Sequence, residues 1–131
     1  MNGFEAFDEV KRAIVVAAHP DDLECCCGGV VAMLVARGVE VFSANCTLGD
    51  IGAQDGDIVR PALAATRLAE TEEAARRLGL AGIYNLGHHD GELVPDLELR
   101  AQIARLYRLT QADTLLTFDP HNGRASCRER V

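Results

Sequence analysis

The stretch AIVVAAHPDDLECCCGG, residues 13–29, decides how this chain folds. Its first six residues, Ala13–Ala18, form a short apolar run with β-branched residues in the middle, which is typical of a strand buried on both faces of a parallel sheet. Charged and polar residues follow from His19 to Asp22, and a helical pattern then runs to about Arg37. A buried strand that leads directly into a helix predicts the first half of a strand–helix–strand crossover unit.

The rest of the chain continues this alternation. We predict a strand at 39–46, a Gly/Asp-rich loop at 47–57, a helix at 58–78, a strand at 82–87, a polar loop at 88–93, a helix at 96–111 and a strand at 114–118. The pattern favours an α/β fold, a Rossmann-like three-layer sandwich with a mostly parallel sheet. We expect strand order 3-2-1-4, which makes the first and fourth strands neighbours. The loops HPDD and DPH that follow these two strands would then flank one crevice.

Composition and charge exclude several partners. The 131 residues suit one small domain, and the net charge of −7 argues against a nucleic-acid or anionic membrane surface. No apolar run approaches the ~20 residues of a membrane span, and the N-terminus lacks the apolar segment of a signal peptide. Three adjacent cysteines do not resemble a secreted disulfide framework. We therefore expect a cytoplasmic protein with reduced thiols and no membrane span.

The HPDD turn carries side chains that suit a divalent metal ion. Imidazole and carboxylate are ordinary zinc ligands, and His19 and Asp22 lie close enough in sequence to face one point. Asp21 would then be a neighbouring carboxylate able to take a proton from a metal-bound water. By spacing alone an alternative stays open, in which both aspartates cap the helix and His19 is a hydrogen-bonded turn residue.

Two other features compete as metal sites. The run Cys25–Cys27 cannot direct all three thiols at one ion, because successive helix residues point about 100° apart. We interpret one or two of these cysteines as small buried residues beside the glycines that follow them. His88 and His89 form the main rival, which we interpret as part of a polar loop at the rim of the crevice.

Five ordered motifs resemble those of the PIG-L/LmbE-like zinc-dependent N-deacetylases. They are AAHPDDLECCCGG (17–29), TLGDIG (47–52), RLAETEEAARRLGL (67–80), LGHHDGEL (86–93) and TFDPHNG (117–123). The resemblance implies that His19 and Asp22 bind zinc, that Asp21 is the general base, and that Arg67 and Asp90 bind substrate. It also implies the reaction: hydrolysis of an N-acetyl group on an amino-sugar conjugate of the GlcNAc type, which releases acetate and a free amine.

The C-terminal end departs from the family pattern. The family takes its third zinc ligand from a His-x-x-His stretch behind the Asp-Pro loop, and no such stretch follows TFDPHNG here. The last residues, GRASCRERV (123–131), equal the translation of a common sequencing adapter up to its stop codon. We therefore predict that residues 1–122 are the N-terminal part of a single deacetylase domain, with an incomplete sheet, and that 123–131 are a non-native read-through tail. On this interpretation the third zinc ligand is missing, and the 131-residue chain has little or no deacetylase activity.

Two alternatives from other functional classes remain. The chain could be a non-catalytic, sugar-binding remnant of the same fold, and recovery of the missing histidines would argue against it. A nucleotide-binding Rossmann domain is less favoured, because HPDD occupies the turn where Gly-x-Gly-x-x-Gly would lie. Saturable binding of NAD would support that second alternative.

Overall fold

A computed structural model describes residues 5–53 and 56–119. Its elements in chain order are a 3-10 turn Glu5–Phe7, β1 Arg12–Ala17, α1 Asp22–Ala36, β2 Glu40–Thr47, α2 Arg60–Leu78, β3 Gly82–His88, α3 Leu97–Leu109 and β4 Thr114–Leu116. The strands form one sheet in the order β3-β2-β1-β4, and each neighbouring pair is parallel. The predicted α/β class and the predicted strand order are both confirmed.

The central strand β1 is buried on both faces because helices cover both sides of the sheet. On one face, Ala13 and Val15 belong to a core cluster with residues of α1, among them Leu23, Val31 and Leu34. On the other face, Ile14 and Val16 pack with residues of α3 and its flanks, including Leu99, Ile103 and Ala112. Alternating side chains of a strand point to opposite faces, so one short apolar run supplies both cores.

The second helix begins two residues later than the sequence pattern predicts. Val59 has an extended backbone, with φ −76° and ψ 146°, and the helix starts at Arg60 rather than Ile58. Pro61 lies in the first turn, where its missing N–H would have had no helical partner in any case. The proline is therefore compatible with a helix that begins at Arg60.

The fourth strand ends earlier than predicted, at Leu116 rather than Phe118. Its pairing with β1 runs only from Ala13–Thr114 to Val15–Leu116. Beyond it the Thr117 hydroxyl donates a 2.9 Å hydrogen bond to the Val16 carbonyl, so a side chain replaces the next backbone bond of the ladder.

Several predictions concern residues outside the described part of the chain. His121, the domain boundary at 122 and the tail at 123–131 are among them.

Among the described helices, none has the length and apolar character that a membrane span requires. Within α1, Cys25 and Cys26 are exposed and Cys27 is half-buried against the core, so only one of the three thiols packs as predicted.

Candidate active site

The HPDD turn joins β1 to α1 through a strained backbone. Asp21 has φ 100° and ψ −18°, which is the left-handed region that non-glycine residues rarely adopt. Such conformations cost energy and cluster at functional sites. Asp21 occupies the N-cap position of α1, yet its side chain makes no capping hydrogen bond. The helix-capping alternative therefore does not account for Asp21.

The His19 ring lies between two carboxylates. Its Nδ1 is 3.5 Å from Asp22 Oδ2, and its Nε2 is 2.9 Å from Asp90 Oδ1. Asp22 is buried, with 1% of its side chain exposed, and also accepts a 2.9 Å hydrogen bond from the His19 backbone N–H. The hydrogen bond to Asp22 raises the pKa of His19, burial opposes the shift, and Asp90 adds to the increase.

This arrangement fits two ligands of a zinc ion. Two donor atoms bound at ~2.1 Å in a tetrahedron are about 3.4 Å apart, close to the 3.5 Å between His19 Nδ1 and Asp22 Oδ2. With its proton on Nε2, His19 donates to Asp90 and presents the Nδ1 lone pair on the side of Asp22. A ligating histidine usually donates its other N–H to a carboxylate in this way. In residues 5–53 and 56–119, no cluster of three or more His, Cys, Asp or Glu side chains could hold a metal ion.

Arg67, a residue of α2, binds the HPDD turn that leads into α1. Its Nη2 donates to the Pro20 carbonyl at 2.7 Å and to Asp21 Oδ2 at 2.8 Å, while Nη1 donates to Glu70 at 2.7 Å. About half of the Asp21 side chain, 49%, is exposed, so solvent reaches this carboxylate. Arg67 and Asp90, the two predicted substrate-binding residues, thus both lie in contact with the turn that carries the predicted metal ligands.

Asp50, which sequence reasoning did not single out, anchors the far side of the site. Its carboxylate meets the Asp90 backbone N–H at 2.8 Å, His89 Nδ1 at 2.7 Å and Arg60 Nε at 2.9 Å. Burial alone would raise the pKa of Asp50, but these hydrogen bonds outweigh it and hold the pKa well below its usual range. The only advance signal was the position of Asp50 within the TLGDIG loop.

The two adjacent histidines do not act as one metal site. His88 ends β3 and its Nε2 lies 2.7 Å from Gln102 Oε1 of α3, whereas His89 turns to Asp50. The two rings therefore contact different neighbours. The predicted polar loop begins at His89 rather than His88, because His88 is the last residue of β3.

A cavity of about 340 Å³ opens beside Asp22, between α1 and the carboxyl ends of β1 and β4. Phe118 and Asp119, which follow β4, line it together with Asp22, as the predicted strand order requires. Most of the remaining wall is apolar and includes Leu23, Val30 and Leu116. The two loops do share a crevice, as far as the described residues reach.

Comparison with known proteins assigns the family. Residues 14–127 match the family described as PIG-L: GlcNAc-PI de-N-acetylase, and the chain belongs to this family. Diacetylchitobiose deacetylase from Thermococcus kodakarensis is 33% identical over 116 residues, which are 88% of this chain and 43% of that protein. The chain therefore spans less than half the length of this relative.

Solved structures show the same fold with more than one activity. N,N'-diacetylchitobiose deacetylase from Pyrococcus horikoshii, in complex with its inhibitor MPG, superposes with a TM-score of 0.88 and 35% identity over 92% of this chain and 45% of that one. GalB, the 4-carboxy-2-hydroxymuconate hydratase from Pseudomonas putida KT2440, gives 0.76 and 25% over 86% of this chain and 50% of that one. The reaction must therefore be argued from the site rather than from the fold.

Proposed function

We propose that this chain supplies the N-terminal part of a zinc-dependent N-deacetylase acting on GlcNAc-type amino-sugar conjugates. The observation that carries the proposal is the environment of His19, whose two ring nitrogens face Asp22 and Asp90. One nitrogen is thereby presented to a ligand and the other is held by a carboxylate, which is the arrangement expected of a metal-binding histidine. The similarity to diacetylchitobiose deacetylases supports the choice of an acetamido sugar.

In this proposal His19 and Asp22 hold the zinc ion, and a third ligand comes from outside the described residues. Zinc, when bound, would polarise the amide carbonyl and lower the pKa of a water molecule. Asp22 is buried and already accepts the His19 backbone N–H, so the turn is fixed before a metal arrives. The expected cytoplasmic location of the protein is also part of this proposal.

Asp21 acts as the general base and accepts the proton of the attacking water. Its strained backbone and the hydrogen bond from Arg67 hold the carboxylate in one place, beside the metal ligands. Precise placement matters because proton transfer requires hydrogen-bond distance to the reacting water. The proton then passes to the leaving amine, and the products are acetate and the free amino sugar.

Arg67 and Asp90 are proposed to contact the sugar while they hold the HPDD turn. A guanidinium offers a planar fork of donors, and a carboxylate offers acceptors, so the pair suits a polyhydroxylated ligand. Arg67 contacts Asp21 directly and Asp90 contacts His19 directly. Substrate binding and the geometry of the reacting groups would thus be coupled.

The test is release of acetate and free amine from N,N'-diacetylchitobiose in the presence of Zn²⁺. The chain should be assayed alone and with residues 1–119 fused to the C-terminal half of the Pyrococcus horikoshii enzyme, which would supply the third ligand. We expect turnover in the fused protein and its loss in Asp21→Asn, with Asp113→Asn as a control at the opposite edge of the sheet. Saturable sugar binding without acetate release would instead favour the non-catalytic alternative.

Sequencing the source gene beyond the codon for Asn122 is an independent test. A frame that continues into a His-x-x-His stretch would support both the read-through tail and the deacetylase. A genuine stop after Val131 would leave the site with two ligands and contradict the proposal for the natural protein.

A further inference from the structure

The buried carboxylate of Asp50 connects the loop after β2 with the loop after β3, which are far apart along the chain. Asp50 follows β2 and Asp90 follows β3, forty residues later in the chain. Only 2% of Asp50 is exposed, so its carboxylate is shielded from water and must find its partners within the protein. Three of those partners come from outside its own loop.

Three donor groups converge on this one carboxylate. Oδ1 accepts the backbone N–H of Asp90, while Oδ2 meets both the His89 ring and the Arg60 guanidinium. Arg60 is 43% exposed and pairs also with Glu92, so the cation lies at the surface and only the carboxylate is enclosed. The hydrogen bond to the Asp90 backbone fixes the position of the Asp90 main chain, from which its side chain extends.

The loop backbone is built to bring Asp50 to this position. The Leu48 N–H donates to the His88 carbonyl at 2.9 Å, which extends the pairing of β2 with β3 past the regular register. Gly49 then adopts φ +63°, a conformation that suits glycine, and turns the chain so that Asp50 points back toward the loop after β3. The contact is therefore a consequence of both strands ending at the same level of the sheet.

The network continues from Asp90 to the predicted metal ligand. Asp90 Oδ1 lies 2.9 Å from His19 Nε2. Asp50 is thus two contacts from the imidazole: its carboxylate holds the Asp90 backbone, and the Asp90 carboxylate holds the ring. We propose that Asp50 is a positioning residue that fixes the tautomer and orientation of His19 by anchoring Asp90. This inference rests on the proposed function for its role in metal binding, but its effect on His19 can be measured without any metal.

The first experiment compares Asp50→Asn with wild type by NMR of the His19 imidazole nitrogens in metal-free, alkaline buffer. We expect wild type to carry the proton on Nε2. The variant should show a mixture of tautomers, because an amide has one acceptor oxygen and cannot accept from the Asp90 N–H, the His89 ring and the Arg60 guanidinium together. Asp113→Asn is the matched control, since Asp113 also accepts backbone N–H groups, from Lys11 and Arg12, at the other edge of the sheet. A His19 spectrum that is equally unchanged in both variants would overturn the proposal.

The second experiment measures the affinity for Zn²⁺ alone of the fused protein described above, because the third ligand is proposed to lie outside the described residues. Loss of a carboxylate in contact with a ligating histidine costs about 10–100-fold in metal affinity. Asp50 acts one contact further away, so we expect a decrease near the lower end of this range, about 10-fold, for Asp50→Asn and less than about 3-fold for Asp113→Asn. Equal affinities in the two variants would argue against Asp50. If the fused protein with Asp50 intact binds no Zn²⁺, the proposed function fails, while the NMR comparison still decides the role of Asp50.

A third measurement uses wild type and covers the case in which Asp50→Asn does not fold. The Asp90 backbone N–H should exchange with solvent slowly, because its acceptor is buried. The Glu92 N–H in the same loop, which bonds to the His89 carbonyl, is the internal reference. Exchange of Asp90 at the rate of Glu92 would overturn the anchoring step.

Discussion

The Arg67 guanidinium holds Asp21 and the residue before it at once, through the 2.8 Å bond to Asp21 Oδ2 and the 2.7 Å bond to the Pro20 carbonyl. One side chain of α2 therefore secures a left-handed backbone at the start of α1. A strained conformation persists only where its surroundings determine it, and Arg67 supplies two of the contacts that do so.

Replacement of Arg67 should reveal whether it positions the base or binds substrate. Arg67→Lys retains the charge, but a lysine ammonium cannot reproduce the planar fork that reaches Pro20, Asp21 and Glu70 together. If positioning dominates, we expect kcat to fall about 10–100-fold with KM nearly unchanged. Steady-state kinetics of the fused protein would measure both. A rise in KM at constant kcat would assign Arg67 to substrate binding alone.

Substitution of Asp21 and substitution of Asp22 should affect different measured quantities, kcat and zinc affinity respectively. Asp22→Asn removes a proposed metal ligand and should abolish Zn²⁺ binding, whereas Asp21→Asn should leave Zn²⁺ affinity within about 3-fold and lower kcat by about 10²–10⁴-fold. Calorimetric zinc titration and an acetate-release assay on each variant of the fused protein would check this. Equal loss of zinc affinity in both variants would contradict the division of roles.

The loop glycine beside Pro20 should be intolerant of a side chain. A Cβ on Gly49 would lie 3.0 Å from Pro20 Cδ, and the residue has φ +63°. We expect Gly49→Ala to lower the free energy of unfolding by about 1–2 kcal/mol or more. Urea denaturation would measure the change.

Gly29→Ala provides the matched comparison of the same substitution in an open position. Gly29 lies within α1, and among the described residues an alanine Cβ there would meet no heavy atom of another part of the protein within 4 Å. Alanine should therefore raise stability by about 0.5–1 kcal/mol through helix propensity. A similar loss of stability in both variants would show that the left-handed backbone at Gly49 is not the cause.

Stability in acid should depend on Asp50. Its folded-state pKa lies below the value of about 4 for an unfolded carboxyl, because its hydrogen bonds outweigh burial. The charged form therefore stabilises the fold above pH ~4, and this contribution is lost as the pH falls through the lower folded-state pKa. Asp50→Asn should cost about 2 kcal/mol near neutral pH. The gap from wild type should close below pH ~4, as urea titrations across pH would show.

A constant gap between wild type and Asp50→Asn at every pH would contradict this prediction. The neighbouring groups that share the environment of Asp50 are Arg60, His89, Asp90 and Glu92. Arg60→Gln is a useful companion, because it removes the surface cation and leaves both the Asp90 N–H and the His89 ring in place.

The sequence was sufficient for the fold because its signals are local. Val15 and Val16 indicate a strand buried on both faces, Gly79 ends α2 in the left-handed conformation, and the alternation of elements dictates a parallel sheet. The order β3-β2-β1-β4 was expected by analogy with the common order of such sheets. The end of β4 did not, because Thr117 competes with the strand ladder through its side chain, and no pattern of hydrophobicity reveals that bond.

The location of the candidate site, at the carboxyl ends of the strands, was predictable from the sequence, whereas individual contacts were predictable only where residues are close in sequence. His19 and Asp22 belong to one turn, and their proximity could be inferred from their spacing. Asp50 and Asp90 meet because two strands end side by side, and their contact depends on the length of the loop through Gly49. The particular contact between Asp50 and Asp90 therefore had no signature in the single sequence.

The pairing of β4 with β1 has a consequence for the order of folding. Residues 13–15 meet residues 114–116, so this edge of the sheet closes a loop of about one hundred residues, whereas β1–β2 and β2–β3 join neighbouring elements. Closing a longer loop costs more chain entropy, and the three residue pairs between β1 and β4 offset only a small part of that cost. We expect the β1–β2–β3 unit to assemble first and β4 to join last. The crevice beside Asp22 would therefore be completed only in the final step of folding.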